Sequence, residues 1–295
     1  MFKYGSNFYE RIMKVSALVL TRNRPEELFR CIESIRNQTI KPDEILILDN
    51  GSEKESSLIN FEYLLKDCVI YSSDANLGCP GGRNFLIEKA SGDFLLFVDD
   101  DGKLEINALM NGLNYFNIYK NLAVVTFRII DDKTGKIRDG FSQNITPFLH
   151  HTFGGGSCLI KKDILKITGL YPTNFLRQGE EHDLAIRILD NGFKIIYAPD
   201  VILFHPLQKL SEETYYLSQI STITTAWRYM PYHYAILRTI INTFRLFNNN
   251  NLNPYEIFNL IKSSLQHRTP IKSNTYRNWF RLNRNVKKKF NSNEK

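Results

Sequence analysis

Apolar residues in the first hundred positions come in short blocks separated by polar, turn-forming segments. Residues 15–20 form one such block, 45–48 a second, 69–71 a weaker third, and 94–98 (Phe-Leu-Leu-Phe-Val) a fourth. Runs of four to eight apolar residues bounded by turn formers predict buried strands. Between the blocks, apolar residues recur at helical spacing. Pro25 opens a segment that carries Leu28, Ile32 and Ile35 on one face, a weaker one covers about 56–66, and Gly81-Gly82 precede a third at about 83–90. A β-α-β-α-β-α-β rhythm predicts an α/β fold, with a mostly parallel sheet flanked by helices.

The second half is less regular. The spacing predicts a helix near 107–119, a strand at 123–130, a hairpin turn at 131–136, and a strand after the glycines at 154–156. A helix at 180–189 and short strands at 195–197 and 201–204 follow. Beyond residue 207 the pattern is helical and aromatic, with a polar break at 248–251.

Ligands of open α/β sheets bind at the carboxyl ends of the strands. The loops there carry Thr21-Arg22-Asn23-Arg24, Asp49-Asn50-Gly51-Ser52 and Asp99-Asp100-Asp101, which the topology gathers on one rim. Three adjacent acids at the end of a buried strand repel one another unless a cation shares their charge. Mg²⁺ and Mn²⁺ prefer such oxygens, and Asp99 and Asp101 form a D-x-D pair able to face one ion. The structural alternative is a solvated acidic turn capping a helix that starts near Leu104.

Further along, Asn76-Leu77-Gly78-Cys79-Pro80-Gly81-Gly82-Arg83-Asn84 leads into a helix start, where free N–H groups attract anions. Arg83 adds a planar fork for a phosphate. Glu180, Glu181 and Asp183 cluster at another helix start, where negative charge is favourable in any case. Arg187 lies four residues after Asp183 and can pair with it on one helix face. His205 ends a strand, before a proline.

Length and composition narrow the class. The 295 residues, 43% hydrophobic and 23% charged, suit one large globular domain with or without an appendage. No stretch is apolar enough to span a bilayer, and residues 1–14 lack the apolar core of a leader. The four cysteines show no C-x-x-C spacing, which predicts reduced thiols in a cytosolic protein. The net charge of +7 is uneven: residues 1–205 carry 24 Lys+Arg against 27 Asp+Glu, and residues 206–295 carry 14 against 4. Basic residues mixed with Trp227, Tyr229, Trp279 and Phe280 suit an anionic membrane surface. They contain no recognised nucleic-acid motif.

Taken in order, these motifs resemble the family 2 glycosyltransferases of GT-A fold over roughly residues 14–206. The Gly-Gly-Arg-Asn version is similar to the rhamnosyl- and galactofuranosyltransferase branch. The resemblance implies an inverting transferase with a nucleotide-diphosphate sugar donor, UDP- or dTDP-linked, and a glycan or lipid-linked acceptor in surface polysaccharide synthesis. It assigns donor binding to Thr21, Arg22, Asn23, Asp49, Gly51, Asn76, Gly81, Gly82, Arg83, Asp99 and Asp100. Acceptor binding falls to Gly155, Gly156 and Glu180, and Mn²⁺ or Mg²⁺ to Asp99, Asp101 and His205. The catalytic base is Glu181, where many relatives carry Asp, with Asp183 as second choice; Arg187 is structural.

The implied organisation is an N-terminal extension (1–13), a GT-A domain (14–206) with donor half 14–102 and acceptor half 103–206, and a basic helical region (207–295). That region predicts peripheral contact with the inner face of the cell membrane, and a homo-oligomer is compatible with it. Competing readings are a nucleotidyltransferase or a degenerate sugar-nucleotide-binding scaffold. Release of nucleoside diphosphate, of pyrophosphate or of nothing separates the three.

Overall fold

The computed structural model describes residues 13–53, 65–137, 146–175, 178–206, 211–248 and 253–291. Its first half runs β1 (Val15–Thr21), α1 (Pro25–Arg36), β2 (Glu44–Asn50), β3 (Val69–Ser73), α2 (Gly78–Lys89) and β4 (Phe94–Asp99). The second half adds β5 (Lys103–Leu104), α3 (Ala108–Ile118), β6 (Leu122–Ile130), β7 (Phe148–Leu149), β8 (Ser157–Lys161), α4 (Lys162–Thr168), α5 (Glu180–Asp190) and β9 (Lys194–Phe204). Four helices close the chain: α6 (Glu212–Tyr229), α7 (Tyr232–Asn248), α8 (Pro254–Gln266) and α9 (Ser273–Asn291).

Among the described residues one sheet holds all the strands, in the order β3-β2-β1-β4-β8-β6-β9-β5, with β7 paired to β9. Strands β3, β2, β1 and β4 are parallel, with α1 crossing from β1 to β2 and α2 from β3 to β4. Beyond β4 the sheet is mixed: β8 runs antiparallel to both β4 and β6, while β6 and β9 are parallel.

Strand periodicity puts a core on each face of the sheet. Val15, Ala17 and Val19 of β1, with Phe94, Leu96 and Val98 of β4, pack against Leu28, Ile32 and Ile35 of α1. The alternate residues Leu18, Leu95 and Phe97 pack against Leu86 and Ile87 of α2 and Leu184 and Ile188 of α5. Successive strand side chains point to opposite faces, so a continuous apolar run is what a sheet covered on both sides demands. Each fully buried large aliphatic side chain contributes about 1.5–3 kcal/mol.

Several elements differ from their sequence expectation. The expected helix at 83–90 starts five residues earlier, at Gly78, so Gly81 and Gly82 lie in its first turns rather than ahead of it. Pro80 is tolerated there because first-turn N–H groups have no intrahelical partner. At Gly82 a Cβ would sit 2.4 Å from Leu20 Cδ1, so glycine lets α2 close onto β1. After the three acids the chain makes the short strand β5, and α3 begins only at Ala108, so the acids do not cap a helix near Leu104. The two strands expected at 195–204 are one strand with an irregularity between its pairings to Phe127 and Arg128. The turn at 131–136 forms as expected, with Asp131 Oδ1 accepting from Thr134 N and Oγ1. The helix expected at 56–66 and the break at 248–251 fall largely outside the described residues.

Candidate active site

The carboxyl ends of β1, β2 and β4 meet on one rim and are tied by side-chain hydrogen bonds. Arg22 Nε donates to Gly51 O (3.1 Å), Asn23 N to Ser52 Oγ (2.8 Å), and Glu53 N to Asn23 Oδ1 (2.8 Å). Asp49 is buried and its Oδ1 accepts from Ser52 N at 3.1 Å. Asn50 continues the chain of contacts, donating to Asn76 Oδ1 at 3.0 Å and accepting from Leu77 N at 2.9 Å. Asn76 Oδ1 also accepts from Gly78 N, at the first position of α2. The rim is therefore a connected backbone shelf.

The three acids divide their work. Asp100 turns into the protein, where Thr21 Oγ1 donates to it at 2.8 Å and Arg24 Nη1 at 3.3 Å. Burial pushes its carboxyl up to about 6, against the pull of Thr21 and Arg24. Asp101 meets His205 Nε2 at 2.9 Å and Arg24 at 3.1 Å. Burial pushes the Asp101 carboxyl up, but the His205 hydrogen bond and charge, with Arg24, hold it below its ordinary value. Burial alone would lower the His205 imidazole; Asp101 and Asp99 raise it instead. Asp99 is the open member, 44% exposed, with His205 Nε2 at 3.9 Å and Arg83 at 3.6 Å.

Among the described residues no group of three His, Cys, Asp or Glu side chains stands in a finished metal-coordinating arrangement. The donor set of Asp99, Asp101 and His205 does suit a divalent ion chemically. Neighbouring ligands of an octahedral ion about 2.1 Å from the metal stand about 3 Å apart, and His205 Nε2 and Asp101 Oδ1 already have that separation. The Asp99 oxygen would have to close in. Arg24 and Arg83 supply positive charge in this arrangement.

Opposite Asp99 lies Arg83, itself buried, donating from Nη1 to Glu180 Oε1 (2.8 Å) and to Glu181 Oε1 (3.5 Å). The Tyr171 ring lies under its guanidinium, 5.7 Å from the centroid. Glu180 is buried, and its Oε2 has no hydrogen-bond partner among the described residues. Burial, then the charge of Glu181, raise its carboxyl to about 7 against the pull of Arg83. Glu181 remains 20% exposed beside it.

Gly155 and Gly156 form the floor. A Cβ on Gly155 would meet Arg83 Nη1 at 2.3 Å and Glu181 Oε1 at 2.5 Å, and one on Gly156 would meet Asp99 Oδ1 at 1.7 Å. Asp99 N donates to Gly156 O at 2.9 Å, fastening the acid to that floor.

Asp183 goes elsewhere. One helical step from Glu180, it is 1% exposed and sits between α5 and α6, not with the rim residues. Its Oδ1 accepts from Arg187 Nε at 2.8 Å, and its Oδ2 accepts from Arg228 Nη1 at 3.0 Å and Tyr229 Oη at 2.8 Å. Arg187 also donates to the carbonyls of Thr168 and Leu170, the structural part expected of it. Arg24, Tyr171, Arg228 and Tyr229 escape sequence reasoning as site residues. Arg24 sits in a motif already noticed, whereas Arg228 and Tyr229 lie 45 and 46 residues from the acid they hold and give no local signal.

A family model described as glycosyl transferase family 2 matches residues 16–168. The glucosyl-dolichyl phosphate glucuronosyltransferase of Haloferax volcanii is 24% identical over 220 residues, 66% of this chain and 70% of that protein. The GalNAc(5)-diNAcBac-PP-undecaprenol beta-1,3-glucosyltransferase of Campylobacter jejuni is 33% identical over 132 residues, 44% of this chain and 42% of that protein. Among solved structures, GalNAc-T7 with UDP, GalNAc and Mn²⁺ superposes with a TM-score of 0.60 at 17% identity, covering 75% of this chain and 48% of that one. S. aureus TarS 1–349 with UDP gives 0.54 at 18% identity, covering 72% of this chain and 65% of that one. The chain thus spans about half of the GalNAc-T7 chain. These structures share its fold, a GT-A sheet flanked by helices.

Proposed function

The chain belongs to glycosyl transferase family 2, and from that premise we propose that it moves a sugar from a nucleoside-diphosphate donor to a hydroxyl of a glycan or lipid-linked acceptor, with inversion at the anomeric carbon. The observation that carries this reading is the meeting of Arg83 with Asp99 on one side and Glu181 on the other, over the Gly155-Gly156 floor. A cation between a half-exposed acid and a second carboxylate suits a diphosphate leaving group beside a general base. The UDP named with GalNAc-T7 and TarS supports a uridine- or thymidine-diphosphate donor. The dolichyl and undecaprenol carriers in the relatives' names support a lipid-linked acceptor.

In the proposed mechanism the shelf of Thr21, Arg22, Asn23, Asp49, Gly51 and Asn76 receives the nucleoside. The Asp49 carboxylate accepts from the base N–H. The first turns of α2, with Gly81, Gly82 and Arg83, hold the diphosphate. Glu181 takes the proton of the acceptor hydroxyl, whose oxygen attacks the anomeric carbon opposite the departing nucleoside diphosphate. Gly155, Gly156 and Glu180 keep the acceptor side closely shaped. We assign the base to Glu181 over Asp183 because Asp183 is fully buried and held by three donors. Asp99, Asp101 and His205 would hold Mn²⁺ or Mg²⁺, which as a Lewis acid offsets charge on the leaving diphosphate.

A thermal-shift panel of UDP-, dTDP-, GDP- and CMP-sugars, with and without Mn²⁺, tests this on wild type and Asp101→Ala. Binding to the folded state stabilises by about 2.7 kcal/mol at a hundredfold excess over Kd. One nucleotide class should raise the melting temperature, more so with Mn²⁺, and Asp101→Ala should abolish the gain. Absence of any shift across the panel would sink the donor assignment.

A further inference from the structure

Helix α7 carries its apolar side outward. Tyr232, Ile236, Leu237, Ile240, Phe244 and Phe247 are each between 49% and 64% exposed. At 100° per residue they fall on one continuous face. The opposite side, packed toward α6, contains Ala235, Leu246 and Asn242. Asn242 is fully buried, and neither its amide nitrogen nor its amide oxygen has a hydrogen-bond partner among the described residues. An ordinary surface helix has the reverse arrangement. Tyr255 and Phe258 on α8 are exposed as well, at 74% and 63%. An exposed apolar face of six side chains along one helix marks an interaction face.

Charge decides the occupant. Neither α7 nor α9 contains an Asp or Glu. Arg245 is exposed on α7, and α9 presents exposed Arg277, Arg281 and Arg284. Tyr234 ties α9 to α7 through Tyr276 (6.0 Å) and Trp279 (5.8 Å), in a region, residues 206–295, that carries 14 Lys+Arg against 4 Asp+Glu. In a two-fold dimer the same patch appears on both sides, and like charge would meet like charge. An anionic bilayer surface takes both parts of the pattern: apolar side chains enter the acyl boundary while arginines meet headgroup phosphates.

We propose that the outward face of α7, with the exposed Tyr255 and Phe258 of α8 and the basic helix α9 in the same region of the chain, seats the protein on an anionic membrane surface. The helix spans about 25 Å at 1.5 Å per residue, so it would lie in the interface. No helix among the described residues is long and apolar enough to cross a membrane. Arg238, next to Leu237, is close enough to His182 to add to the lowering of its imidazole pKa by desolvation, which Glu181 opposes. Arg238 is on the inward side of α7, so seating the outward face on a membrane would hold the start of α5, which carries Glu181, close to the bilayer. The link from there to a lipid-borne acceptor rests on the function proposed above; vesicle binding itself does not.

Flotation with phosphatidylcholine vesicles, with and without phosphatidylglycerol, tests the proposal on the full chain. Wild type should float with the anionic vesicles and bind the neutral ones at least about tenfold more weakly. The double variant Ile240→Asp/Phe244→Asp should lose anionic binding by a similar factor, with circular dichroism and donor-induced thermal shift unchanged. Arg277→Glu/Arg281→Glu, which leaves the apolar face intact, should weaken it too. Wild type failing to float, or the double aspartate variant floating normally, would overturn the proposal. Sedimentation showing a dimer that the aspartates break, with no vesicle binding, would make the face a subunit interface. A donor shift without vesicle binding would leave the transferase reading standing.

Discussion

Arg83 on α2 and Glu180 on α5 form a buried ion pair at 2.8 Å, joining the two helices that border the candidate site. The same guanidinium reaches Glu181 and Asp99, so three carboxylates depend on it. Removing one partner of a buried pair leaves uncompensated charge and costs about 3–5 kcal/mol. Arg83→Met should lose that much in urea denaturation, and Arg83→Lys, which keeps charge but not the fork, less. A loss under about 1 kcal/mol for Arg83→Met would mean that the acids relax away from each other.

Gly156→Ala tests how closely Asp99 is positioned. The added Cβ would fall 1.7 Å from Asp99 Oδ1, so the carboxylate must leave its place. A misplacement of about 1 Å at a reacting centre costs about a hundredfold in rate. Sugar transfer should fall by about that factor with the circular dichroism spectrum unchanged. Wild-type turnover would show that Asp99 is not held where the reaction needs it.

Glu181→Gln and Asp183→Asn should fail in different assays. The first removes the proposed base, so kcat should drop by about 10²–10⁴ while donor binding persists. The second weakens the anchor for Arg187, Arg228 and Tyr229, so it should cost about 3 kcal/mol in stability. A Glu181→Gln protein with full kcat would exclude Glu181 as the base.

His150 predicts acid sensitivity. Burial lowers its imidazole pKa to about 4, against a hydrogen bond to Thr152 O. His151 stacks on it at 4.8 Å and Phe148 lies at 5.9 Å. A base with a lowered folded-state pKa binds fewer protons folded than unfolded. Its contribution is therefore present above about pH 6.5 and declines as pH falls toward 4, by up to about 3 kcal/mol. Denaturation curves at pH 7, 5.5 and 4 should show this loss, and His150→Gln should reduce it. An identical pH profile in the variant would assign the acid sensitivity to another group.

Much of the first half was legible because its signals are local. The run at 94–98 predicted β4, and its alternating residues could only be buried on both faces of a sheet. The acids after it had to lie on the rim. The start of α2 was harder to read, since glycines and a proline ordinarily break helices, and only the approach of Leu20 explains Gly82 within one. The short strand after the acid run had no local signal either: β5 forms through pairing with Phe204 and Leu203, about a hundred residues downstream.

By itself the sequence determined where strands and helices lie and which residue types crowd the rim, because periodicity and turn chemistry act over a few residues. The tertiary structure decided how neighbouring acids divide their roles. Glu181 and Asp183 share a helix start with equal local credentials, yet Arg228 and Tyr229 of α6 bind Asp183 and leave Glu181 beside Arg83 and the glycine floor. It also turned the apolar side of α7 outward. An amphipathic pattern specifies that a face will be covered, but not by what; the covering partner is set by packing among distant helices.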